Sequence, residues 1–488
     1  MTVAPFPPPP LLASHAAVRA AASRVAASRP IRVAGDDHHH HPPQVAALRR
    51  GDWVKLICGA SFEDAADVRN LSLVYTLAGV DCIDCAANAS VVSAVNEGID
   101  VAASIVPEVE RPWVMVSVND DCRDLHFRKA EFDPEECPPN CSKPCEKVCP
   151  ADAISLNRVM VGGEHTQSDP ICDKLEGGVI MQRCYGCGRC LSVCPYDRIR
   201  AMSYVRDPAT TAELLKRSDV DAIEIHTTGK GINMFNTLWN SLGESINNVK
   251  LVAVSLPNAG ASTIDFMNAT YTIMQSNLEG YNLWQLDGRP MSGDISRGAT
   301  RQTISFAVDL TSVPDRPLGF YQLAGGTNLC TVDCLKKAGL FKARTLPGTR
   351  ITEKVGSQES LIGGIAYGGY ARKIVGRVLR KIPSELGRVH IEDHPAYLLE
   401  ALQEALSLRL QKQPRFSRGC VLELGISSLY LECHSQEIVQ AILDPSNYRA
   451  SGAVVTDSGV MTMADYDSLR QGNHRALCLG KQWCKLMP

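Results

Sequence analysis

The chain has 488 residues, a formal net charge of -3, 45% hydrophobic residues and 19 cysteines. That length exceeds one average domain of about 100–200 residues, and the small net charge leaves no electrostatic footprint for nucleic acid or an anionic membrane. No uninterrupted apolar run reaches the roughly 18 to 20 residues of a spanning helix. With no secretory signal, the cysteines point to a reducing cytoplasm and metal-binding thiolates rather than a disulfide scaffold.

Residues 1–50 read as a disordered Pro/Ala/His-rich extension. Met1 to Arg32 lacks acidic residues and carries Arg19, Arg24, Arg29 and Arg32, which superficially suggests a transit peptide. The run Pro7–Pro10 and the tract His38–His41 fit plain disorder, and the tract is read as incidental rather than as a metal site. From residue 51 strands and helices then alternate: strand Lys55–Ala60, helix Asp64–Leu77, strand Val80–Ala86, helix Ser90–Ala102, strand Trp113–Val118. At about Asn119 the rhythm yields to a cysteine- and proline-dense stretch, residues 120–204. It resumes over 205–412 with strands at Asp221–His226, Lys250–Leu256, Asn282–Asp287, Gly319–Ala324 and Leu361–Ala366, separated by helices. An amphipathic helix over Ile391–Leu410 follows, then a tail, residues 413–488, in which Cys420, Cys433, Cys478 and Cys484 show no metal spacing.

Three strands before the cysteine-rich stretch and five after it make eight. The expected fold is therefore α/β, a (β/α)8-type barrel interrupted by a two-cluster, bacterial-ferredoxin-like α+β insert, with an open doubly wound sheet as the alternative. An insert at the carboxyl end of a strand sits on the face where barrel active sites are built.

The second cysteine run, Cys184-Tyr-Gly-Cys187-Gly-Arg-Cys190-Leu-Ser-Val-Cys194-Pro195, matches the bacterial cluster-binding spacing ending in Cys-Pro. Small residues at Gly186 and Gly188 allow backbone N–H groups to approach the sulfurs. The first run, Cys137-Pro-Pro-Asn-Cys141-Ser-Lys-Pro-Cys145-Glu-Lys-Val-Cys149-Pro150, spaces each pair by three residues. Its prolines, Pro138, Pro139 and Pro144, exclude a helix interior and predict a wrapping loop. In two-cluster ferredoxins the fourth cysteine of each run ligates the other cluster. Applied here, Cys184, Cys187, Cys190 and Cys149 hold one cluster, and Cys137, Cys141, Cys145 and Cys194 the other. Two [4Fe-4S] clusters are expected, with [3Fe-4S] the alternative for the irregular run and Cys172 as a spare thiol. Zinc bound by four thiolates is the competing reading. It leaves the three closely spaced thiols and the Cys-Pro unexplained. Ile154 and Ile199, at matching distances after each Cys-Pro, echo two pseudo-symmetric halves that shield the clusters from water.

Weaker signals lie outside the module. Gly325-Gly326-Thr327-Asn328, and Gly363-Gly364 with Gly368-Gly369, frame late strands where barrels cradle a phosphate or flavin, but such glycines also serve as tight turns. His226 with Lys230 ends a strand, and a lone strand-end histidine is read as structural. Cys58, Cys82 and Cys85 are read as small buried hydrophobes.

Lys55-Leu-Ile-Cys-Gly-Ala-Ser, Ala78-Gly-Val-Asp-Cys-Ile-Asp, the two cysteine runs, Asp221-Ala-Ile-Glu-Ile-His-Thr and Gln322-Leu-Ala-Gly-Gly-Thr-Asn together resemble the cyanobacterial light-dependent period protein (LdpA) family over about Arg50 to Leu410. The resemblance implies an iron–sulfur protein of the cyanobacterial cytoplasm that senses redox state and adjusts the circadian period. Its partners would be clock components, a clock input kinase and redox carriers. The sequence offers no paired acid and base, nucleophile motif or Gly-x-Gly-x-x-Gly fingerprint, which favours a regulatory sensor over an enzyme in which the clusters feed a flavin or substrate.

Overall fold

The computed structural model describes residues 16–23, 41–159, 174–289, 297–340, 343–344, 359–383, 389–409, 453–456 and 459–462. The chain divides into two compact units, Met1–Gln413 and Pro414–Pro488. In the second, the described residues form an antiparallel pair, Ala453–Thr456 with Gly459–Thr462.

The first unit is a closed barrel of eight parallel strands. In chain order these are β1 (Trp53–Gly59), β2 (Cys82–Ala86), β3 (Trp113–Asn119), then, after four strands of an insert, β8 (Ala222–His226), β9 (Leu251–Pro257), β10 (Tyr281–Asp287) and β11 (Phe320–Ala324). A small antiparallel pair, β12 (Ala343–Arg344) with β13 (Glu359–Ser360), precedes the last barrel strand, β14 (Gly364–Tyr367). Closure runs through β14, which pairs with β11 on one side and β1 on the other, Trp53 opposite Gly364. A Cβ at Gly364 would lie 2.3 Å from Trp53 Cδ1, so glycine is what lets the seam close beside an indole. The open doubly wound alternative is thereby excluded. Each strand reads as a nearly continuous apolar run because helices cover the outside while side chains fill the inside.

Helix α1 covers residues 16–23 and α2 spans Pro43–Arg50. Both lie inside the segment expected to be disordered, and the correction has a packing cause. Val45 and Leu48 of α2 bury against Trp53, Trp113, Leu251 and Leu283 at the amino ends of the strands, plugging the barrel floor. Around the barrel run α3 (Ala65–Leu77), capped by the Asp64 carboxylate accepting from Asp67 N, and α4 (Ala89–Ile105), capped by Asn88.

The insert leaves the carboxyl end of β3 and returns at β8. It contains β4 (Arg128–Glu131), α5 (Pro144–Val148), β5 (Ile154–Val159), β6 (Lys174–Val179), α6 (Arg189–Val193) and β7 (Arg200–Ser203). β4 pairs antiparallel with β7, and β5 with β6. Cys145 lies on α5 rather than in a loop. The helix is possible because Pro144 occupies its first turn, where a missing N–H costs nothing.

Helices α7 (Pro208–Leu215), α8 (Ile232–Leu242), α9 (Ser262–Met274), α10 (Thr300–Thr311), α11 (Thr331–Lys337) and α12 (Gly369–Leu379) complete the crossovers. The long helix expected over Ile391–Leu410 is a 3-10 turn, Ile391–Asp393, followed by α13 (Pro395–Arg409). Among the described residues no helix is long and apolar enough to cross a membrane.

Candidate functional site

The eight cysteines of the two runs fall into two groups. The surroundings of Cys190 include Cys187, Cys184 and, from the other run, Cys149. Those of Cys137 include Cys141 and, from the other run, Cys194, and Cys145 is within reach of Cys137 and Cys141. Each set of neighbours thus includes one cysteine from the opposite run. Cys172 lies outside the described residues, as do Cys420, Cys433, Cys478 and Cys484.

Local backbone geometry explains the first group. Gly186 and Gly188 have φ of 70° and 74°, and a Cβ at Gly186 would sit 2.2 Å from the Arg128 carbonyl oxygen. Arg128 Nε donates to the Gly186 oxygen at 2.7 Å, which holds the loop against β4. Backbone N–H groups of Ala130, Ala153 and Arg198 donate to the sulfurs of Cys184, Cys149 and Cys194 at 3.3, 3.2 and 3.4 Å. The inner thiols are walled by Ala130, Ala153, Ile154 and Leu191. Burial pushes the thiol of Cys190 up to about 12 and that of Cys187 upward, so binding a cationic centre there must release protons. Closely grouped thiols, donors aimed at sulfur and an apolar wall suit an iron–sulfur cluster.

Ion pairs fasten the insert to the barrel. The Glu63 carboxylate accepts from Lys129 at 2.7 Å and Arg206 at 2.8 Å, and Arg183 meets Asp64 at 2.9 Å. Beside them opens a cleft of about 1180 Å³ at the carboxyl ends of the strands. Cys149 and Tyr185 border it from the insert, and His226, Asp287 and Arg372 from the barrel. Arg372 lies over the Tyr185 ring at 4.2 Å and donates to the carbonyls of Ile57 and Cys58 at 3.0 and 2.9 Å. Gly325, Gly326, Gly368 and Gly369 line this cleft; Gly363 and Gly364 lie at the β1–β14 seam instead.

Inside the mouth lies a polar network. Lys55 Nζ pairs with Glu224 and lies 3.8 Å from Asp84, all three fully buried. Glu224 also accepts from Gln285 Nε2 and faces His226 Nε2 at 3.1 Å. Burial opposes the charge of His226, yet Glu224, Asp124 and Asp287 push it up to about 9. Burial raises Asp84 to about 6 against the pull of Lys55. The sequence alone reads His226 as structural and does not single out Glu224, Lys55, Asp84, Asp124, His126 or Asp287. The pairs Glu224/His226 and Gln285/Asp287 stand two apart on their strands, so a polar residue recurring at period two within an apolar run is the available signal. Lys230 stays outside this network. Cys58, Cys82 and Cys85 are buried, and burial raises all three thiols, Cys58 to about 12, so they stay protonated and inert.

Fold and site together define a class: a (β/α)8 barrel carrying an iron–sulfur cluster-binding insert on its functional face. Residues 137–205 match the LdpA Fe-S cluster-binding domain and residues 214–411 the light dependent period A C-terminal domain. The chain is 37% identical to light dependent period A of Synechococcus elongatus over 362 residues, 74% of this chain and 91% of that protein. It belongs to the light dependent period A family. A crystal structure assigned provisionally as a fructose-1,6-biphosphate aldolase from Coccidioides immitis aligns at 8% identity and a TM-score of 0.35, covering 75% of this chain and 92% of that one.

Proposed function

We propose that this protein is a cytoplasmic redox sensor and electron-transfer protein whose two clusters, both [4Fe-4S] unless the irregular one is [3Fe-4S], report cellular redox state. Cys149, Cys184, Cys187 and Cys190 hold one cluster, and Cys137, Cys141, Cys145 and Cys194 the other. The observation that carries the reading is the crossed grouping of those thiols, one group bordering the barrel cleft. Bound clusters supply reversible one-electron storage. The chain's own residues orient the thiolates, direct N–H groups at sulfur and exclude water with Ile154 and Ile199, which are buried at equivalent places in the two halves. By family membership and the name of the Synechococcus relative, the output is an adjustment of circadian period in response to light. Components of the clock input pathway and redox carriers are the partners.

Anaerobic purification followed by assay of iron, acid-labile sulfide and flavin tests this. Iron and sulfide near eight per chain each, the content of two [4Fe-4S] centres, supports it; zinc without sulfide overturns it. In a Synechococcus elongatus strain lacking its own relative, the intact chain should restore the period response to light and Cys187→Ser should not.

The cleft favours a second reading, an oxidoreductase acting on a small molecule in the barrel with a flavin or phosphate held by the glycine loops. Arg289, Arg372 and Lys373 line that cleft beside Cys149 and suit an anionic ligand. Stoichiometric flavin in the anaerobic preparation would promote it.

A further inference from the structure

The loop that carries the chain from β3 into the insert also builds a second cluster of donors. Asp124 and His126 come from this loop and His226 from the end of β8. One ligand atom from each lies within 4.8 Å of the others. Turn geometry holds the loop in place: Asp124 Oδ1 accepts from the backbone and the ring Nδ1 of His126, both at 2.8 Å, and Ser61 Oγ donates to the His126 carbonyl. Phe127 packs edge-on against the His226 ring, with centroids 5.3 Å apart.

Two atoms of this cluster are buried without a hydrogen-bond partner. Asp124 Oδ2 and His226 Nδ1 face each other at 3.4 Å, on residues only 7% and 5% exposed. They meet there as an ion pair when His226 is protonated, but without a hydrogen bond. The second ring nitrogen of His226 meets Glu224 at 3.1 Å, the carboxylate support that metal-ligating histidines commonly have. Asp120, with both carboxylate oxygens buried and unbonded, feels the charges of Asp124 and His226. Carboxylates crowd the mouth: Glu224 is within electrostatic reach of Asp84 and of Asp287, and Asp124 of Asp120, and Lys55 meets Glu224 and Asp84. A bound cation would offset the carboxylates of such a set.

We propose that Asp124, His126 and His226 form a mononuclear site for a divalent first-row transition ion, of the zinc, manganese or ferrous class, at the barrel mouth and separate from the cysteines. Two imidazoles with a carboxylate select these ions over calcium or magnesium, whose ligands are oxygen. Metal–ligand bonds of about 2.0–2.2 Å require the three groups to draw slightly closer. His126 and His226 both line the cleft, so open coordination positions would face whatever small molecule enters it.

The test uses the full chain with its clusters intact, held anaerobically, and zinc as the probe. Because the tract His38–His41 also offers imidazoles, His38, His39 and His40 are first replaced by alanine. Equilibrium dialysis should still find one tight zinc per chain, with imidazole and oxygen but no sulfur scattering at the zinc absorption edge. His126→Ala and Asp124→Asn should each weaken zinc by roughly tenfold or more, with iron and sulfide unchanged. Absence of tight zinc in the tract-free chain would overturn the site, and so would sulfur scattering or affinity indifferent to both variants. The scattering measurement needs no substitution at the site, so a sulfur or all-oxygen shell overturns it even where a variant misfolds.

Discussion

The two halves of the cysteine module are alike in backbone and unlike in surroundings. After each Cys-Pro an aspartate, Asp152 or Asp197, adopts φ of 46° or 51°. The residue after it in each half, Ala153 or Arg198, donates its N–H to the preceding cysteine sulfur, and the next, Ile154 or Ile199, is buried. Positive φ at a non-glycine residue is uncommon, so its recurrence at both places marks one turn used twice. Beyond that turn the halves part. In one group Cys184 and Cys190 are buried, Cys149 and Cys187 are half-buried, and Cys149 borders the barrel cleft; in the other Cys145 is buried and Cys137, Cys141 and Cys194 are half-buried. A duplicated fold can thus supply two unequal redox centres: water access and hydrogen bonding tune cluster potential over hundreds of millivolts, and of the two cysteine groups it is the one with Cys149 that borders the cleft.

The largest expected break of this near-symmetry is Cys187→Ser. Removing a ligand from the inner group should abolish that cluster, halving iron and sulfide, while the far-ultraviolet circular dichroism of the barrel persists. Unchanged iron would show that Cys187 is not a ligand. Cys141→Ser should do less, since the outer group already has irregular spacing and more water. Loss of one iron with retention of sulfide, read as a three-iron signal in electron paramagnetic resonance, is the expected outcome. A complete loss of the outer cluster would show instead that the halves respond alike.

Legibility in the sequence differs between barrel and module. The eight strands are legible because parallel strands buried on both faces form short apolar runs separated by helical periodicity, and the expected bounds of β9 and β10 fall within one residue of the observed ones at each end. The regular run Cys184–Cys194 is legible because cluster ligation demands close spacing. The barrel-mouth network is not. Lys55 and Asp84 each sit alone in an apolar strand and Glu224 shares its strand with His226, but nothing local shows that strands distant in sequence aim them at one point. Asp124 and His126 lie in a stretch where the cysteines are the dominant signal. Helix α2 escapes detection because eight residues flanked by prolines and histidines carry too little pattern, and their burial exists only once the barrel floor is assembled.

A sharper question is what ties the inner half to the barrel. Glu63 is only partly buried, but it binds Lys129, itself 8% exposed, together with Arg206. Burial alone would raise the carboxyl of Glu63; Lys129 and Arg206 outweigh it and hold the group below its ordinary 4.5. A depressed carboxylate contributes stability that is fully present above its unfolded value and is lost as pH falls through the lower folded value. Glu63→Gln should therefore cost about 2 kcal/mol at pH 7 by denaturant unfolding, between an exposed and a fully buried pair. The gap to wild type should narrow in acid. A gap independent of pH would mean that the contact is steric.

Asp67, which lines the same cleft, works in the opposite sense and by less. Burial first, and the neighbouring Asp64 carboxylate next, push it up to about 6 despite Arg183 and Arg380. The folded protein thus favours the protonated form. The charged form carries a cost that is complete above pH 6 and disappears as pH falls toward the ordinary value of 3.8. Asp67 stands in the first turn of α3, where a helix N-terminus returns roughly 0.3–1 kcal/mol to a negative charge. That return is smaller than a shift of this size, at about 1.4 kcal/mol per unit. Asp67→Asn should then stabilise the protein by about 1 kcal/mol at pH 7, with the gain vanishing near pH 4. A loss of stability at neutral pH would show that the helix end, and not the half-buried carboxylate pair Asp64 and Asp67, governs this corner of the cleft.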